Sequence, residues 1–256
     1  MDRDNLYGMR GMHIELLRLL LEFDTICKSN QIVYSLGFGS MLGAVRDHGI
    51  IPWDDDVDVI IDRNNYRKLE SIIDLFPAFI VEKNSTQSLW VPRFRYRDKG
   101  HEEFGYTLTI DLFIIDNVPD SKILSSTILF MTYALQGMIK SKLNLKKGNC
   151  FQKVASVTTY LAGRMIPLSV KFWLYHRLAD MSNGKMTHHC TCYMAEFNYV
   201  AQKNDSRLLK DITVMDFDDL KVPISAHYDS YLTTLYSDYM TPPKNTERIA
   251  KLLGTN

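Results

Sequence analysis

Acidic residues are missing from a long internal stretch. From Ser121 to Ala179 there is no Asp or Glu, while Lys122, Lys140, Lys142, Lys146, Lys147, Lys153, Arg164, Lys171 and Arg177 supply nine positive charges. The formal net charge is zero, so the rest of the chain carries nine net negative charges. That even total argues against a general nucleic-acid binder. Cysteine is scarce: Cys27, Cys150, Cys190 and Cys192 are too few for a disulfide framework in 256 residues and read as free thiols of a reducing compartment. His188-His189-Cys190-Thr191-Cys192 crowds four possible zinc ligands together but lacks two separated ligand pairs, so surface and packing roles are the stronger reading. The uncharged run Ile123 to Ile139 falls short of the roughly 20 residues that span a bilayer, and Ser125, Ser126, Thr132 and Gln136 dilute it. Met1 to His13 mixes Asp2, Arg3, Asp4 and Arg10 without the apolar core of a secretory signal. A cytoplasmic location is therefore expected.

With 46% hydrophobic and 23% charged residues, the chain reads as an ordinary globular protein. Met9 to Ser29 has apolar residues at helical spacing, Ile14, Leu17 and Leu21 among them, and predicts a leading amphipathic helix. Ile32 to Phe38 reads as a strand that ends at Gly39, where a turn opens a short helix through Leu42 to Arg46. Asp54-Asp55-Asp56-Val57-Asp58-Val59-Ile60-Ile61 is acidic at its entry and then alternates, as a strand with two unlike faces does. A polar helix from about Asn64 to Leu75 follows, then candidate strands at Phe79–Glu82, Leu89–Tyr96 and Thr107–Ile115. Beyond Lys122 the pattern turns to longer apolar and basic segments, Ile123–Leu145 and Val154–Leu178, the second broken at Pro167. The expected class is α/β (α+β): a catalytic core over residues 1–118 and a mainly helical, basic and aromatic subdomain over 119–256.

Two carboxylates at i and i+2 on a strand share a face, so Asp56 and Asp58 can share a divalent cation such as Mg²⁺ or Mn²⁺. A cation held there neutralises phosphate oxygens, which points to phosphoryl chemistry. Upstream, Gly39 and Ser40 stand where backbone N–H groups and a hydroxyl can grip a phosphate, with Arg46 on the helix that follows. Asp111 lies inside the apolar run Leu108–Ile115, where a buried charge is costly without a partner, so it is the candidate third ligand or the base for the nucleophile's proton. Asp116 is the weaker candidate. Read alone, the acidic run fits a solvated turn about as well; the order of glycine turn, carboxylate pair and in-strand Asp favours a nucleotidyltransferase-type site.

Gly39-Ser40-Met41-Leu42-Gly43-Ala44-Val45-Arg46, followed by Gly49-Ile50-Ile51-Pro52-Trp53-Asp54-Asp55-Asp56-Val57-Asp58, resembles the signature of the LicD family. That family includes bacterial phosphocholine transferases and is related to fukutin-type proteins. A second resemblance lies in Val222-Pro223-Ile224, Tyr228, Tyr231-Leu232 and Tyr236-Ser237-Asp238-Tyr239-Met240, closing on Pro242-Pro243. The resemblance implies a nucleotidyltransferase-like mixed sheet with flanking helices. It also implies transfer of a phospho-alcohol, usually phosphocholine from CDP-choline, to a sugar of a cell-surface glycan, with CMP leaving. Asp56 and Asp58 match the family's metal pair, and Asp111 the later strand carboxylate. Phe38 stands where many members have glycine, Ser40 where Thr is common, and Ser237 where Gly is common.

Arg93, Arg95 and Arg97 alternate along a predicted strand, so their guanidinium groups can share one face suited to phosphate; an acid-paired face is the alternative. A choline ammonium needs aromatic faces. Tyr228, Tyr231, Tyr236, Tyr239, Trp53 and Trp90 are candidates, although such spacing more often marks a core. Two readings of residues 121–179 stay open: basic, apolar helices resting on the anionic inner membrane face near a lipid-linked glycan acceptor, or a positive face that meets the acidic remainder. The competing functions are nucleotidyl transfer with release of pyrophosphate, and a non-catalytic nucleotide- or membrane-binding member.

Overall fold

A computed structural model of the chain describes residues 8–83, 91–98, 107–140, 142–143, 149–195 and 197–243. Trp90, Lys146, Lys147, the first residues of the expected strand Leu89–Tyr96 and the end of the expected helix Ile123–Leu145 lie outside them. The chain divides into two units. The first comprises the described residues of Met1–Asn84, Val91–Ile115 and Arg207–Asn256, and the second those of Asp116–Ser206.

The first unit begins with α1 (Arg10–Ser29), whose buried stripe is Met12, Leu16, Leu19, Leu20, Phe23, Ile26 and Cys27. Ile14 and Leu21, expected on the apolar side, are 43% and 49% exposed. Both are apolar, so hydrophobicity alone did not choose the inner face; the larger set at 16, 19, 20 and 23 did. A central parallel pair follows, β2 (Val57–Asp62) beside β5 (Ile110–Val118), in register from Val57↔Ile110 to Asp62↔Ile115. β1 (Tyr34–Leu36) lies antiparallel on the outer side of β2, and β4 (Arg93–Tyr96) then β3 (Phe79–Glu82) continue antiparallel beyond β5. This mixed sheet with flanking helices is the expected fold class. The sheet's interior is apolar: Val57, Val59, Ile60, Ile61, Phe94, Ile110, Leu112 and Ile114 are buried.

Short α2 (Phe38–Leu42) and a π-helical turn, Gly43–Asp47, link β1 to the acidic segment. Helix α3 (Arg63–Ile72) starts cleanly because Asp62 accepts the Asn64 and Asn65 N–H groups. From the C-terminal side come β8 (Ile212–Phe217) and β9 (Leu220–Ser225), an antiparallel hairpin, and α8 (Tyr228–Tyr236). The hairpin docks on β1, where Ser225 N–H donates to Ser35 Oγ at 2.9 Å in the buried interior.

In the second unit, the end of β5 pairs antiparallel with β6 (His189–Thr191), and β6 with β7 (Asn204–Asp205); the short α7 (Phe197–Val200) lies between these two strands in the chain. Three longer helices fill the rest: α4 (Lys122–Ile139), α5 (Cys150–Met165) and α6 (Leu168–Ala179). Asn149 and Gln152 form a capping box at the start of α5, and Pro167 separates α5 from α6. α4 and α5 approach closely where they lack side chains: a Cβ on Gly163 would fall 2.1 Å from Met138 O. No described helix is long and apolar enough to cross a membrane.

Candidate functional site

The turn out of β1 lies flat against β2 because its glycines leave no side chain in the way. Gly37 N–H donates to Asp58 O at 2.9 Å, and a Cβ on Gly37 would sit 2.7 Å from Ile60 Cγ2. A Cβ on Gly39 would lie 2.8 Å from Asp54 Oδ2 and 4.0 Å from Asp58 Oδ2, so the backbone here faces two carboxylates directly. Ser40 Oγ accepts the Asp58 N–H at 2.8 Å, tying the turn to the strand that bears Asp58. The hydroxyl keeps a proton to donate. Phe38 holds φ 43°, a conformation that favours glycine. Its ring packs 4.3 Å from that of Phe113 and 6.0 Å, edge-on, from that of Tyr231.

The acidic segment is anchored at its start, while Asp55 is exposed. Trp53 and Asp54 are buried, Asp54 N–H donates to Ile51 O at 2.8 Å, and the His13 ring Nε2 lies 2.8 Å from Asp54 O. Carboxylate oxygens of Asp54, Asp55 and Asp56 come within 4.8 Å of one another. Such a set of hard oxygen donors fits Mg²⁺ or Mn²⁺.

Asp58 follows on β2 and is the register partner of Asp111 on β5; Arg93 on β4 is the register partner of Asp111 on its other side. Arg93 Nε lies 3.1 Å from Asp111 Oδ1, and Thr109 Oγ1 donates to the same oxygen at 3.1 Å. Burial raises the Asp111 carboxyl above the ordinary carboxylate range, Arg93 and Thr109 pull it down, and Asp55 pushes it further up. Asp58 and Asp111 are neighbours across the sheet, and Asp56 gathers with Asp54 and Asp55 at the entry to β2.

Residues 31–113 match the family model for the LicD/FKTN/FKRP nucleotidyltransferase domain. This segment is a LicD-family domain. The chain is 39% identical to the lipopolysaccharide cholinephosphotransferase LicD of Haemophilus influenzae over 64 residues, which cover 25% of this chain and 24% of that protein. It is 36% identical to an uncharacterised protein of Rickettsia prowazekii, over 36% of this chain and 42% of that one. The matched spans thus cover less than half of either relative. Within this chain the LicD segment encloses the glycine turn, the acidic entry, Arg93 and Asp111.

Other candidates are engaged elsewhere. The Arg46 side chain is 6% exposed; its Nε and Nη2 donate to Asp47 Oδ2 at 2.9 and 2.7 Å, and its guanidinium lies 5.8 Å from the centre of a Trp53 ring. Arg95 donates to Glu82 Oε2 at 2.9 Å, and Arg97, just past the end of β4, to Pro77 O and Phe79 O at 3.0 and 3.2 Å. Of the three alternating arginines, Arg93 is the one paired with Asp111. Asp116 is buried in the second unit, where it helps push the Tyr193 hydroxyl upward. Tyr231 is buried against Phe38, and Tyr239 donates to Asp229 Oδ1 at 2.6 Å.

Sequence reasoning missed Asp54, Asp55 and Asp218 as parts of this neighbourhood. Asp218, at the hairpin tip, accepts the Ile50 N–H at 2.9 Å through Oδ2 and donates its own N–H to His48 O at 2.7 Å. Its carboxylate also fills the space where a Gly49 side chain would point, 2.4 Å from that position. No local pattern marks Asp54 or Asp218.

Proposed function

We propose that the chain is a phosphotransferase that moves phosphocholine, or a similar phospho-alcohol, from a CDP-alcohol to a sugar hydroxyl of a cell-surface glycan precursor. The observation that carries this reading is the layout around the glycine turn: Asp54 and Asp58 face Gly39, and Asp111 lies beside Asp58 with Arg93 on it. An acceptor oxygen attacks the phosphorus distal to cytidine, a new P–O bond forms, the bond to the CMP oxygen breaks, and CMP leaves. Asp111 is the base that takes the hydroxyl proton, since burial raises the proton affinity of its carboxylate. Arg93 holds Asp111 in place and adds positive charge near the developing phosphate charge. Gly39 and Ser40 present N–H and O–H donors to phosphate oxygens. Asp54, Asp55, Asp56 and Asp58 would hold Mg²⁺ or Mn²⁺, which neutralises phosphate charge when bound.

The chain, with Asp56→Ala and Asp58→Ala variants, is to be incubated with CDP-choline, CDP-ribitol, CDP-glycerol or CTP, either metal and a surface-glycan extract. Metal-dependent CMP release from one CDP-alcohol, lost in both variants, is the expected result. Pyrophosphate from CTP would move the reaction to nucleotidyl transfer. Nucleotide binding with no turnover in the presence of acceptor would make the chain a non-catalytic binder.

A further inference from the structure

The elbow between α5 and α6 presents large apolar side chains to solvent where a free surface would hide them. On α5, Val154, Leu161 and Met165 are 59%, 59% and 86% exposed and lie at i, i+7 and i+11, along one side of the helix. On α6, Lys171, Phe172, Tyr175, Leu178 and Ala179 face inward, leaving Val170, Trp173 and Arg177 outward at i, i+3 and i+7. Leu168 continues the apolar surface at the turn, and Trp173 is 59% exposed. Cations rim it. Arg164 lies over the Tyr160 ring at 4.8 Å and Arg177 over the Trp173 ring at 5.8 Å. Among the described residues neither arginine pairs with a carboxylate, nor does Lys122 or Lys140.

We propose that this elbow is a docking face for an anionic phospholipid bilayer, entered by Leu161, Met165, Leu168 and Trp173 and held at the headgroups by Arg164 and Arg177. Charge decides the occupant. A face with no acid anywhere from Ser121 to Ala179 would repel a second copy of itself, whereas an anionic surface attracts it. A tryptophan with flanking arginines around exposed aliphatic groups suits the interface between headgroups and acyl chains. The inference extends beyond the transfer reaction and does not depend on it.

The test is co-sedimentation of the full chain with vesicles of phosphatidylcholine alone or of equal parts phosphatidylcholine and phosphatidylglycerol. Variants are Met165→Ser with Trp173→Ser, and Arg164→Gln with Arg177→Gln, each checked for native circular dichroism. These side chains are exposed, so both variants are expected to fold. Binding to the anionic vesicles is expected to fall about tenfold or more in either pair and to weaken with salt. Binding needs no turnover, so its failure is distinct from failure of the transfer reading. No binding to the anionic vesicles, or binding unchanged in both pairs, overturns the proposal. So does a dimer of the unmodified chain that the Met165→Ser/Trp173→Ser pair dissociates, because a second copy would then be the occupant.

Discussion

Phe38 and Ser237 hold φ values of 43° and 59°, in the region that glycine occupies without strain. Ser237 is exposed and follows α8, so Ser237→Gly is expected to stabilise the chain by about 1 kcal/mol in urea unfolding. Phe38→Gly relieves similar strain but removes a ring packed on Phe113 and Tyr231, and the net is a loss of about 2–4 kcal/mol. The Arg93–Asp111 pair carries a pH signature in metal-free protein. Asp111 has a folded pKa above its unfolded value, so it costs stability as pH rises through that range and costs nothing below it. Arg93→Met removes the nearby cation and raises that pKa further. The loss, about 2 kcal/mol, is expected to be larger at neutral pH than at acid pH. Adding Asp111→Asn should abolish the difference; an Arg93→Met loss independent of pH would mean the two groups are not coupled.

At the scale of elements, the hairpin β8–β9 braces the loop that leads into the acid cluster. Asp218 is at φ 51°, so Asp218→Gly keeps the backbone and deletes the carboxylate that receives Ile50 N–H. A loss of about 1–3 kcal/mol is expected. Mn²⁺ affinity, read by isothermal titration, should weaken with it, and Asp218→Asn, which keeps an acceptor and tolerates this φ, should recover both. Unchanged Mn²⁺ affinity in Asp218→Gly would show that the brace does not reach the cluster. In the second unit, Lys171 Nζ donates to Met138 O at 3.2 Å and Gly163 O at 2.8 Å, so one buried cation serves the C-terminal ends of α4 and α5. Lys171→Met is expected to cost about 1–3 kcal/mol, measured by thermal unfolding.

These elements also mark how far the sequence could be read. α1, β2, β3, α3 and the break at Pro167 follow from local periodicity and caps, and each is found within a few residues of its expected bounds. Asp58 and Asp111 were legible because each is a charge inside an apolar strand pattern. Asp54 was not, since the groups it meets, Gly39 and His13, lie elsewhere along the chain. The hairpin β8–β9 and Asp218 escaped for the same reason. Val214 is exposed, Pro223 interrupts the strand signal, and the Asp218 contact to Ile50 joins positions 168 residues apart. Arg95 and Arg97 alternate with Arg93 as expected, but what they bond to is set by Glu82 and by the backbone around β3, which periodicity does not specify.

For the molecule as a whole, the chain divides into two compact units, and two unfolding transitions are the expected outcome of calorimetry. The glycine turn, Asp54–Asp58, Arg93 and Asp111 all belong to the first unit, which also contains the C-terminal hairpin packed on β1. A ligand that binds only folded protein stabilises the part it binds. At a hundredfold excess over Kd, Mn²⁺ with a CDP-alcohol should add about 2.7 kcal/mol, or about 5–10 °C, to one transition and leave the other in place. The transition that moves is expected to be the one that Asp218→Gly lowers, and the one that Lys171→Met lowers should stay. In Asp56→Asn the ligand-induced shift should vanish while both unliganded transitions persist. A shift of the Lys171-sensitive transition alone would place the nucleotide in the helical unit and remove the acid cluster from the binding site.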